Sequence, residues 1–161
     1  MNELERRTID GRAEFAAAVR LTLQCAAQER VRELILVDSD FSGWPLEDAA
    51  LLSALSRWAR RPLRRMLMLA CNFDTLPRQA PRFTAWRRTW AHVVECRSTD
   101  IEASQMPTLL LAGSLGLNVL DRVNWRGQWL ADDHEIGQWR EVVDAVLQRS
   151  EGDFPANTLG L

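Results

Sequence analysis

Two short aliphatic runs, Glu33-Leu34-Ile35-Leu36-Val37-Asp38 and Met66-Leu67-Met68-Leu69-Ala70-Cys71, restrict the fold of this chain more than any other feature. Neither alternates polar with apolar residues, so neither suits a strand with one wet face. Each predicts a strand buried on both sides, the habit of a parallel sheet covered by helices. Helical periodicity precedes and separates them. Phe15, Val19, Leu23 and Ala26 recur along residues 12–30, with Asp10 placed to cap the amino end. Leu51, Leu55 and Trp58 continue one face of a second helix that Pro45 opens and Pro62 stops.

Residues 72–80, with Asp74 and Pro77, read as loop, and Pro81 opens a helix through Phe83, Trp86 and Trp90. Residues 93–97 form a third short strand. The apolar runs at 108–112 and 117–120 are separated by residues 113–116 and read as a hairpin; residues 121–131 add an edge strand. A last helix runs over residues 133–149, with Ile136, Trp139, Val143 and Val146 inward and an Asp132-x-x-Glu135 start signal. Residues 150–161 form a tail with Phe154 and Leu159 as docking points. This order predicts one domain over residues 1–161, of the α/β class, with a mixed, largely parallel sheet flanked by helices on both faces.

The chain has 20 basic residues, all arginine, and neither lysine nor tyrosine. That excludes a Schiff base, a Gly-Lys-Ser/Thr phosphate loop and any lysine base or nucleophile. A formal charge of −2 and an isoelectric point near 5.7 disfavour nucleic acid as a partner, so such a role needs a local patch. Cys25, Cys71 and Cys96 are odd in number, far apart and set in apolar runs, which fits neither a disulfide framework nor a zinc site. A reducing cytoplasm is the expected home. No window reaches the roughly 18 apolar residues of a membrane span, and no metal or cofactor is implied.

The element order, the aliphatic strand ending in Val37-Asp38-Ser39-Asp40, and the closing stretch from Trp125-Arg126-Gly127 through Trp139 resemble one half of a phospholipase D-like protein. The resemblance is nearest to small bacterial domains of that kind that lack the active-site motif. Active members carry His-x-Lys-x4-Asp; laid on residues 106–113, that motif meets Met106, Thr108 and Gly113 in place of histidine, lysine and aspartate. A slipped alignment does not help, because His92 and His134 are the histidines of the chain and there is no lysine. Nucleophilic attack on phosphorus needs the imidazole, and the charge that follows needs preorganised donors. The resemblance therefore implies a non-catalytic domain acting by binding or assembly, and, as a single half, one that pairs with a copy of itself.

Other clusters offer alternatives. Asp38, Ser39 and Asp40 follow a buried strand where open sheets place ligand loops; they are either a carboxylate pair for a metal or base in a small enzyme, or turn residues that satisfy backbone amides. Arg57, Arg60, Arg61, Arg64 and Arg65 crowd around Trp58 and Pro62. Guanidinium interleaved with indole suits an anion or nucleic-acid module, and a solvated helix end is the plainer account. Trp125 and Trp129 flank Arg126-Gly127-Gln128 and are candidates for an interfacial role.

Overall fold

The computed structural model describes residues 8–155. The strands are β1 Thr8–Asp10, β2 Glu33–Val37, β3 Arg65–Ala70, β4 Val94–Thr99, β5 Thr108–Ala112, β6 Leu115–Asp121, β7 Arg126–Leu130 and β8 Ser150–Gly152. The helices are α1 Arg12–Gln28, α2 Ala49–Ala59, α3 Leu76–Gln79, α4 Pro81–Thr89 and α5 Asp133–Leu147. All eight strands join one sheet in the order β1-β7-β6-β5-β2-β3-β4-β8.

The α/β class and the mixed sheet hold, but the sheet is mostly antiparallel. β2 pairs with β3 and β3 with β4 in parallel, whereas the other five neighbouring pairs are antiparallel. The expectation of a largely parallel sheet fails for a physical reason. An unbroken aliphatic run reports that both faces of a strand are covered, not which way its neighbour points. β5 makes the point: all five of its residues, Thr-Leu-Leu-Leu-Ala, are buried, and it lies antiparallel to β2.

Successive side chains of the central strands go to opposite faces. Leu34, Leu36, Met66, Met68 and Leu110 meet α1, α2 and α4 in a large core with Phe15, Leu23, Leu55, Trp58 and Phe83. Ile35, Val37, Leu67, Leu69, Leu109 and Leu111 meet Ile136, Val143 and Val146 of α5 in a smaller one. Helices on both faces are thus observed, four against one. No helix among the described residues is long and apolar enough to cross a membrane.

Several boundaries move. α2 begins after Asp48, whose carboxylate accepts from the Leu51 N–H at 3.0 Å, so Pro45 stays in the preceding loop. Asp10 does not cap α1; Gly11 stands at that position, and Asp10 lies in β1 with its carboxylate 3.2 Å from Arg126 Nε. β7 is not an edge, because β1 covers it. Asp132 caps α5, accepting from the His134 and Glu135 N–H groups. Phe154 docks as expected, stacking on Phe73 at 5.4 Å between ring centres, while Leu159 lies outside the described residues.

The parallel core β2-β3-β4 places one end of the molecule. α1, α2 and α4 each precede one of these strands, so their carboxyl ends converge on the amino end of the sheet. β5 runs the other way beside β2 and brings the turn at Gly113 and Ser114 to the same end, against Val31.

Candidate nucleic-acid interface

That end carries arginine. Arg30 and Arg32 lie on the connection from α1 to β2, and Arg60, Arg61 and Arg64 on the connection from α2 to β3. The two connections are tied together: Trp58 Nε1 donates to the Val31 carbonyl at 2.6 Å, and the Arg65 N–H to the Arg32 carbonyl at 2.9 Å. Arg30 and Leu63 have φ of 62° and 59°, tight bends that turn each connection into its strand. Arg64 is half-buried, and its guanidinium is held below the usual arginine range by burial first and then by repulsion from Arg61, Arg32 and Arg30. Four cations therefore share one neighbourhood. None of Arg30, Arg32, Arg60, Arg61 and Arg64 has a carboxylate partner among the described residues.

The predicted linear cluster divides. Arg60, Arg61 and Arg64 gather here. Arg65 is on β3 and pairs with Glu95 at 2.8 Å, and Arg57 turns back along α2 to Ser53 Oγ at 3.1 Å. Arg30 and Arg32 were not legible as members, because they join the patch through the crossover rather than through sequence proximity. The signal that finds them is an arginine on each side of the residue between a helix and a buried strand.

The Asp38 cluster is a structural knot. Asp38, at the end of β2, is fully buried; its Oδ1 accepts from Thr108 Oγ1 at 2.5 Å and Arg122 Nε at 3.1 Å, and its Oδ2 from the Phe41 N–H at 2.9 Å and Arg122 Nη2 at 3.1 Å. Arg122 also donates to the Ser42 carbonyl and lies 3.9 Å from the centre of the Trp125 ring. Asp40 accepts from the Ser42 N–H and hydroxyl at 2.9 and 2.7 Å, and the Ser39 carbonyl accepts from Cys71 and Asn72. With every lone-pair direction of Asp38 engaged, that carboxylate follows the turn account rather than the metal or base account, and Asp40 shares the turn through its Oδ1. No group of three or more His, Cys, Asp or Glu residues suited to a metal occurs among the described residues. Arg122 was missed because its partner is 84 residues away in sequence.

The remaining candidates are dispersed. Met106 is buried in the smaller core, Thr108 is spent on Asp38, and Gly113 sits exposed in the β5–β6 turn. Trp125 is 9% exposed and packs on Phe15 at 4.7 Å, so its ring is used within the chain rather than offered at an interface. Trp129 is half-buried against the larger core. Burial raises the Cys71 thiol, helped by Asp38 and Asp40, and pushes the Cys96 thiol up to about 11.

No family model matches the chain, and no curated protein matches it in sequence. Among solved structures, its fold is similar to that of TrmBL2, an archaeal chromatin protein whose structure shows a novel mode of DNA binding. The TM-score is 0.65 at 18% identity, over 91% of this chain and 53% of the other. The chain therefore spans about half the length of that protein, and the likeness is one of fold. It overturns the phospholipase D-like resemblance, which rested on element order and two short stretches rather than on a diagnostic motif, and with it the placement among bacterial domains. The expectation of a self-pairing half derived from that resemblance and falls with it. The disfavouring of nucleic acid is corrected too: the similar fold belongs to a DNA-binding protein, and net charge, a sum over the whole surface, does not report a local gathering such as Arg30, Arg32, Arg61 and Arg64.

Proposed function

We propose that this chain is a nucleic-acid-binding module that grips the sugar-phosphate backbone of duplex DNA with Arg30, Arg32, Arg60, Arg61 and Arg64. The observation that carries this reading is the gathering of Arg30, Arg32, Arg60, Arg61 and Arg64 on two tied connections at one end of the sheet, with no carboxylate ion partner for any of them among the described residues. Such a cluster is stabilised by a polyanion, and a guanidinium fork matches two phosphate oxygens at once. The fold shared with TrmBL2, described as a DNA-binding chromatin protein, supports the same class of partner.

The patch is made of connections at helix carboxyl ends, not of a helix face that enters a groove. Contact is therefore with phosphates, which position a protein but carry no sequence information. Affinity should fall steeply with salt and vary little with base sequence.

Fluorescence anisotropy of a labelled duplex against salt tests this. Each phosphate contact contributes about −0.9 to the slope of log affinity on log salt. The double substitution Arg61→Gln, Arg64→Gln should flatten that slope by about 2 and weaken binding equally on unrelated sequences. An unchanged slope in a folded double variant would place binding elsewhere or nowhere.

A further inference from the structure

At the opposite end of α1 a cavity of about 370 Å³ lies between the start of that helix, the loop after β2 and the α3–α4 corner. Phe41, Leu46, Leu76 and Ala80 supply apolar wall, and Arg12 and Gln79 supply polar groups. Trp44 also lines it; this residue is 7% exposed, and its indole Nε1–H is buried without an acceptor among the described residues. An indole N–H is donor only, and a buried donor left unmatched costs free energy that an acceptor would recover. Arg12 reaches the same loop through its Nε, which donates to the Gly43 carbonyl at 3.4 Å, and has no carboxylate partner among the described residues.

No acidic side chain lines the cavity. Two acids next to its lining residues in sequence are committed: Glu47 accepts from the Arg82 and Phe83 N–H groups, and Asp40 from Ser42. One unmatched donor, one cation and apolar walls in a volume suited to a small molecule describe a ligand with one anionic head and an apolar body.

We propose that this cavity binds a small organic carboxylate, its carboxyl group taken by the Arg12 guanidinium and the Trp44 Nε1–H and its carbon skeleton set against Phe41, Leu46 and Leu76. The 17 residues of α1 separate this cavity from Arg30 by about 25 Å at 1.5 Å per residue. The site is thus independent of the nucleic-acid reading, and either can fail alone.

Two-dimensional ¹⁵N–¹H spectra of the indole N–H groups test the proposal, with Trp44→Phe identifying the Trp44 resonance. The probes are benzoate, phenylacetate and hexanoate, with benzamide as the uncharged match for benzoate. At least one acid should move the Trp44 resonance saturably, benzamide should not, and Arg12→Gln should weaken that acid by about tenfold. The other indole resonances, at their original positions, report that the Arg12→Gln fold is intact. The proposal is overturned by silence from all three acids up to about 10 mM, by an equal response to benzamide, or by undiminished binding in folded Arg12→Gln.

Discussion

Asp38 shows how a carboxylate at the end of a buried strand can serve the fold alone. Its carboxylate is 1% exposed and holds Arg122 of the segment after β6, Thr108 of β5 and the Phe41 amide together, so it joins three separate stretches of chain. Asp38→Asn removes the charge and leaves a guanidinium facing a neutral amide; a cost of about 3 kcal/mol is expected from the loss of such a buried partner, read as a lower urea midpoint. Cys96 gives a prediction with a sign. Burial holds its thiol neutral up to about pH 11, above the ordinary value of 9.0. Above pH 9 the unfolded chain therefore loses this proton first, so stability falls as pH rises from 9 to 11. Cys96→Ala should flatten that part of the profile in thermal unfolding. The turn role of Asp38 and Asp40 was legible from their residue types. The identity of the cation was not, because side-chain pairing across 84 residues leaves no local trace.

At the scale of elements, the longer helices and inner strands were readable because burial patterns are local, whereas the four-residue α3 was read as loop, and strand direction was not readable because it depends on the path between strands. The two edge strands show the limit: β1 and β8 have three residues each, too few for any period to register. β7 was found but misplaced as an edge for the same reason. One glycine on it does carry information. Gly127 sits opposite Val119 beside a register shift in β6, and a Cβ there would run into the Asn118 carbonyl and the Val119 Cα, both backbone atoms. Backbone cannot step aside as a side chain does, so Gly127→Ala should destabilise by roughly 2 kcal/mol or more. The damage belongs to the β6–β7 pair, and hydrogen exchange should show its amides opening before those of β2 and β3.

For the whole molecule, the arginine patch exists only because the crossovers bring distant segments to one end, which is why the sequence alone exposed three of its five members. Its spacing is set from inside. Trp58 is fully buried in the large core, yet its indole N–H holds the Val31 carbonyl, the residue between Arg30 and Arg32. Trp58→Phe keeps every charge and most of the packing while releasing that tether. The count of phosphates touched would stay the same, and so would the salt slope, whereas the intercept would drop because the freed loop must be ordered anew at each encounter. An interior ring, remote from any solute, thereby sets how stiffly the surface presents its charge.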